Sequence, residues 1–158
     1  MRKGWQNIKT FVVLAVGIVL VSILYCSLAM GTPPMPNDLQ MVEPDPSVPK
    51  EIVGFWGKWE GEDQNMRVFV IIEKIDGEKA SVYRWKSGRG RYSGVIIEGW
   101  ERFEAKVTKE YGKYIIWRRV SVAGGSSSGI VEYTLEGEYM NYSYSTAISG
   151  SIWLTRVP

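Results

Sequence analysis

After Pro49 the chain has no proline until its last residue, Pro158, whereas 14 of its 17 glycines fall in that stretch. Proline removes a ladder donor and breaks helices, so a stretch without it is free to form long regular elements. Glycine supplies the positive φ that tight turns need. Between the glycines the chain is dense in β-branched and aromatic residues, with six Trp, eight Tyr and three Phe after residue 50. That grammar is one of strands and turns, and no helical period interrupts it.

Eight strands are predicted: Phe55–Glu60, Met66–Lys74, Lys79–Lys86, Trp100–Thr108, Lys113–Val120, Gly129–Leu135, Glu138–Tyr144 and Ser151–Val157. Asp76-Gly77 is a two-residue hairpin signal, and Tyr111-Gly112 and Glu136-Gly137-Glu138 are similar turns. Ser87–Gly99 is the longest irregular connection, and Ala123–Gly129 is a Gly/Ser loop. Period-two alternation is clearest where Phe103, Ala105 and Val107 alternate with Arg102, Glu104 and Lys106. Val131, Tyr133 and Leu135 alternate with Glu132, Thr134 and Glu136 in the same way. Each strand is thus expected to have one wet face. An antiparallel sheet with one buried face must close on itself or pair with a second sheet. Short consecutive hairpins favour closure, so the expected class is all-β, an eight-stranded antiparallel up-and-down barrel. A two-sheet β-sandwich is the alternative.

Several chemistries are removed by what is missing. The 158 residues include no histidine and one cysteine, Cys26. There is then no Ser-His-Asp triad, no thiolate zinc site and no disulfide framework. Three bases, Arg2, Lys3 and Lys9, precede residue 30 without an acid, and the other 16 bases face 17 acids. A domain so near neutrality lacks the basic footprint of nucleic-acid binding. Glu60, Glu62 and Asp63, and Glu98 with Glu101, have no spacing that demands glycoside hydrolysis. Ser126, Ser127 and Ser128 have no base to activate them. We expect no enzyme, no catalytic residue, no cofactor, no metal and no nucleic-acid partner.

Residues 1–30 are expected to be a signal anchor or a signal peptide. Phe11–Met30 carries no charge and follows a cationic stretch, and about 20 apolar residues span a bilayer core. The positive flank favours a cytoplasmic N-terminus and a C-terminal domain outside, in a single-pass cell-membrane protein. Cleavage near Ala29, at Ser27-Leu28-Ala29, would instead give a secreted or periplasmic protein. Tyr25 before Cys26 argues against a lipoprotein. Residues 31–50 hold six of the seven prolines and read as an extended linker. Residues 51–158 form the domain.

The domain opens Gly54-Phe55-Trp56-Gly57-Lys58-Trp59 and ends Ile152-Trp153-Leu154-Thr155-Arg156. A Gly-x-Trp in the first strand, an eight-strand meander and a late arginine together resemble a compact bacterial lipocalin-like (calycin) barrel. The resemblance implies that Arg156 packs across Trp56 or Trp59 as structural closure of the barrel floor. It also implies a ligand-binding interior. The chain is shorter than a usual lipocalin and shows no helix after the last strand.

Two further arginines sit among apolar neighbours. Arg84 shares parity with Ala80 and Val82, and Arg118 with Tyr114 and Ile116. If those faces point inward, two cations enter the barrel at the end opposite Arg156, where an anion must offset their burial. A small apolar or amphipathic molecule such as a lipid, with a carboxylate for the arginines, fits that arrangement. Tyr83, Tyr133 and Tyr142 are candidate hydroxyl donors. The sequence does not fix the parity: Tyr83 with Trp85, and Ile115 with Trp117, are the inward sets in the opposite register. The expected function is non-catalytic ligand binding in a membrane-tethered, extracytoplasmic domain. The alternative is a filled barrel acting as a protein-interaction module in the cell envelope. The Trp85–Tyr92 segment, with Lys86, Arg89 and Arg91 among glycines, is the most basic local stretch. It reads as a solvated loop or a partner contact.

Overall fold

Eight consecutive strands pair with their sequence neighbours, and the last returns to the first. The structure, a computed structural model, describes residues 33–63, 66–89, 96–121, 128–145 and 149–158. The strands are β1 (Gly57–Glu62), β2 (Met66–Ile75), β3 (Lys79–Arg89), β4 (Ile96–Glu110), β5 (Lys113–Ser121), β6 (Ser128–Glu136), β7 (Tyr139–Ser145) and β8 (Ser149–Val157). All pairs are antiparallel, and closure is made by Lys58 with Val157, Trp59 with Arg156 and Glu60 with Thr155. The closed up-and-down barrel is therefore the architecture, and the sandwich is not. Its lower end carries the turns after β2, β4 and β6 together with the start of β1 and the end of β8. The connections after β1, β3, β5 and β7 lie at the upper end.

The lower turns form for local reasons. Asp76 Oδ1 accepts the backbone N–H groups of Glu78 and Lys79 at 3.1 and 2.9 Å. Tyr111 and Gly112 both have positive φ, 49° and 83°, which is the two-residue hairpin geometry between the paired Glu110 and Lys113. Tyr111 tolerates that backbone in full exposure.

Inward positions make one core. It includes Trp59, Val68, Val70, Ile72, Val82, Phe103, Ile116, Val131, Tyr133, Met140, Ile152 and Leu154. One helical turn, α1 (Lys50–Val53), corrects the helix-free reading of the domain. Pro49 presets its entry with φ −53°, and Ile52 and Phe55 bury their side chains in the core at its lower end. Because α1 and the turn after it occupy residues 50–55, β1 starts at Gly57 and not at Phe55. β3 and β4 run further than expected, to Arg89 and from Ile96, so most of the expected Ser87–Gly99 loop is strand.

β2 departs from one-face alternation. Val68 through Glu73 are all buried, on both faces of the strand. A bulge between Ile72 and Lys74 leaves Glu73 out of the ladder. Its freed carbonyl accepts Val42 N at 2.8 Å and Trp56 Nε1 at 3.3 Å. Its carboxylate accepts Ser81 Oγ at 2.5 Å, Arg102 Nη2 at 2.5 Å, Arg102 Nε at 3.0 Å and Gln40 N at 3.3 Å. Residues 40–42 of the proline-rich stretch are thereby bonded to the outer side of β2, and Val48 reaches the core. Residues Pro36–Pro158 form one compact unit.

Candidate functional site

Alternation carries five polar side chains inward in the upper half of the barrel. Arg84 stands two residues above Val82 on β3, Glu101 two above Phe103 on β4, and Arg118 two above Ile116 on β5. Tyr133 on β6 and Tyr142 on β7 face each other across a ladder pair, with ring centroids 5.5 Å apart. Arg84 is 4% exposed. Glu101 bridges the two arginines: Oε2 accepts Arg84 Nη2 at 2.7 Å, and Oε1 accepts Arg118 Nη2. Arg84 Nη1 also donates to the Tyr142 hydroxyl at 3.3 Å. The Phe103 ring supports both cations, with Arg118 Cζ 3.9 Å and Arg84 Cζ 5.3 Å from its centroid.

The electrostatics follow from burial and pairing. Burial pushes the Glu101 carboxyl up, but the Arg84 hydrogen bond and both guanidinium charges outweigh it and hold its pKa below the ordinary value. Burial lowers the Arg84 pKa, and Tyr133, Tyr142 and Glu101 more than restore it. Burial raises Tyr133 and Tyr142, which stay neutral donors. Lys86, the next inward position above Arg84, is brought down to about 8 by burial and by the charge of Arg84, with Arg118 acting in the same direction and Glu101 against it.

Three cations here, Arg84, Lys86 and Arg118, meet one carboxylate. Lys86 has no ion pair among the described residues. Nε of Arg84 and Nε of Arg118 are buried without a hydrogen-bond partner. Such donors are costly unless something completes them. Above the cluster the inward positions of β3, β4, β6 and β8 are Gly88, Gly99, Gly129 and Gly150. A Cβ placed on Gly99, the ladder partner of Lys86, would have no atom within 4 Å. At Gly150 the same space is taken by the Tyr144 phenol, and Met66 and Val120 also pack against the core at this end, so the site is a cationic layer with open space beside Gly99.

Of the expected binding residues, Arg84, Arg118, Tyr133 and Tyr142 come together, and Tyr83 does not. Tyr83 lies on the outer face, against Trp100 at 6.3 Å and under the Arg102 guanidinium at 5.2 Å. Adjacent strand residues point to opposite faces, so Tyr83 and Arg84 cannot share a site. At the floor, Arg156 Cζ stacks 4.3 Å from the Trp59 ring, and its Nη atoms donate to Trp56 O at 2.6 Å and Gly54 O at 2.7 Å. Trp56 joins that closure through its carbonyl only. Gly57 is where the guanidinium enters: its φ is +122°, and an added Cβ would collide with Arg156 Nη1.

Sequence reasoning missed Glu101 as the bridging anion, Lys86 as a third inward cation and Glu73 as an anchor. Parity with Phe103 and with Arg84 was the available signal for the first two. Residues 1–32, the Gly/Ser loop at 122–127 and residues 90–92 of the basic segment lie outside the described residues. Among the described residues no helix is long and apolar enough to cross a membrane, and no group of three or more His, Cys, Asp or Glu is placed to hold a metal.

The fold and the site define a class: a closed eight-stranded up-and-down barrel with a cationic interior layer near one end. Comparison with family models, curated proteins and solved structures gave no match for this chain.

Proposed function

We propose that this protein is a membrane-tethered, extracytoplasmic, lipocalin-like barrel that binds a small amphipathic ligand without catalysis. The observation that carries the reading is the Arg84–Glu101–Arg118 layer, with its surplus of cations and its unpartnered buried donors. A filled barrel with no ligand has no use for buried guanidinium N–H groups left without acceptors. The ligand would enter from the upper end past the open Gly99 position, and its anionic group would meet the arginines. The Gly57-Lys58-Trp59 start and the Arg156–Trp59 stack support the lipocalin-like reading. The uncharged run at 11–30 supports the tether.

A second reading, a protein-interaction module, is favoured by the outer face of β7 and β8. Tyr139 and Trp153 are 53% and 52% exposed there. A separate hollow of about 480 Å³ lies further up the same strands, lined by Ile130, Glu132, Ser143, Tyr144, Gly150 and Ser151.

Native mass spectrometry of the full chain, released from a nonionic detergent, separates the two. A bound mass that extracts into organic solvent, and that is lost in an Arg84→Ala/Arg118→Ala variant, is the expected result. Protein that stays empty after incubation with membrane lipid extract overturns the ligand-binding reading.

A further inference from the structure

The balance of charge in the interior layer specifies the ligand's polar group more narrowly. Arg84, Lys86 and Arg118 supply three positive charges and Glu101 one negative charge, so two positive charges stay unmatched. Among the described residues, the groups facing this layer from the other strands are neutral: Tyr133 on β6 and Tyr142 and Tyr144 on β7. A carboxylate would neutralise one charge and leave one inward, half-buried cation uncompensated. A phosphate monoester carries about −1.5 to −2 at neutral pH and three acceptor oxygens. Two of those oxygens match the buried guanidinium Nε–H groups, which have no partner, and the Lys86 ammonium supplies donors for the third.

Resting on the ligand-binding reading above, we propose that the site takes the phosphate of a phosphate-monoester amphiphile, held between Arg84, Lys86 and Arg118. The open space beside Gly99, directly across the ladder from Lys86, is where that group sits. Arg84 and Arg118 keep their bridge to Glu101 through Nη2 and turn Nε to the phosphate. Lys86 sets the preference for a dianion over a monoanion. Burial first, and then the charge of Arg84, lower its pKa, with Glu101 opposing and Arg118 adding to the shift, so an added anion beside it is favoured.

The test uses the full chain in a nonionic detergent and isothermal titration with octyl phosphate, octanoate, octanol and inorganic phosphate at pH 7. Octyl phosphate should bind about tenfold or more tighter than octanoate, as one additional buried charge contact requires. Lys86→Gln should bring the two acids to within about threefold of each other, and Lys86→Arg should restore the preference. Near-ultraviolet circular dichroism checks that both variants stay folded. Equal or tighter binding of octanoate overturns the phosphate assignment and leaves the amphiphile reading standing. Binding of neither acid overturns both. Inorganic phosphate that binds as tightly as octyl phosphate assigns the site to free phosphate and overturns the amphiphile.

Discussion

Glu101→Gln is the most informative single change in this protein. The substitution keeps volume and shape but removes the one anion shared by two inward arginines. Arg84 is 4% exposed, so water does not replace the lost partner there. Arg118 and Glu101 have side chains 22% and 42% exposed, so solvent relieves part of the cost on their side. Breaking a fully buried pair costs about 3–5 kcal/mol, and the partial exposure brings this to about 2–3 kcal/mol. For a unit of this size that corresponds to a fall in Tm of about 8–12 °C. Thermal unfolding by circular dichroism at pH 7 measures it. The companion variant Arg84→Met/Glu101→Leu/Arg118→Met removes all three charges together and should recover most of the loss, because an apolar replacement of a whole buried cluster is near neutral. A Glu101→Gln shift within about 2 °C would refute the reasoning, since it would mean that the arginines do not depend on Glu101.

Three other outcomes follow from the geometry. Arg156→Ala removes two hydrogen bonds and the stack on Trp59, and should cost about 2 kcal/mol in urea unfolding, with Arg156→Lys recovering less than half because it cannot reach both carbonyls. Glu73 has a pKa held below its ordinary value, because its Ser81 and Arg102 hydrogen bonds outweigh burial. The stability it contributes is complete above the unfolded carboxyl pKa and is lost as pH falls through the folded one, so Glu73→Gln should flatten the acid limb of stability against pH. Lys86 has the opposite consequence: its folded pKa of about 8 lies below that of an unfolded lysine. Between those values the unfolded chain binds more protons, so stability of the ligand-free protein should rise with pH from about 8 to about 10, and Lys86→Met should abolish the rise.

The closed barrel was legible because turns and alternation agree along most of the chain. Asp76-Gly77, Tyr111-Gly112 and Glu136-Gly137 mark the lower turns, and the Phe103–Val107 stripe falls inward as its spacing predicts. The parity of Arg118 was not legible, because Tyr114 and Ile116 on one face of β5 and Ile115 and Trp117 on the other are all apolar or aromatic. Tyr83 was not, because a strand buried on both faces gives no contrast between them: Tyr83 and Arg84 are 3% and 4% exposed, and one is outside and the other inside. Phe69, Ile71 and Trp85 obscure the parity of β2 and β3 in the same way. Glu73 was hidden by a backbone event. A bulge shifts the period by one residue, and its buried carboxylate is satisfied by residues from three distant parts of the chain. The short helix was missed because its four residues are specified by Pro49 and by the cavity that Ile52 and Phe55 enter, not by a repeating pattern.

The floor closure has a consequence for how the protein is made. Arg156 bonds carbonyls 100 and 102 residues earlier, and β8 is the only partner for the free edge of β1. A ribosome or an export channel releases the chain from its N-terminus, so β1 waits with an open edge until β8, the last strand of the ring in sequence order, emerges. Such an edge is a template for pairing with other chains, and contacts this distant in sequence form slowly. Loss of Thr155, Arg156 and Val157 would therefore act as a defect of biogenesis more than of the finished fold: seven strands assembled, the ring left open, and the molecule exposed to its neighbours at the seam.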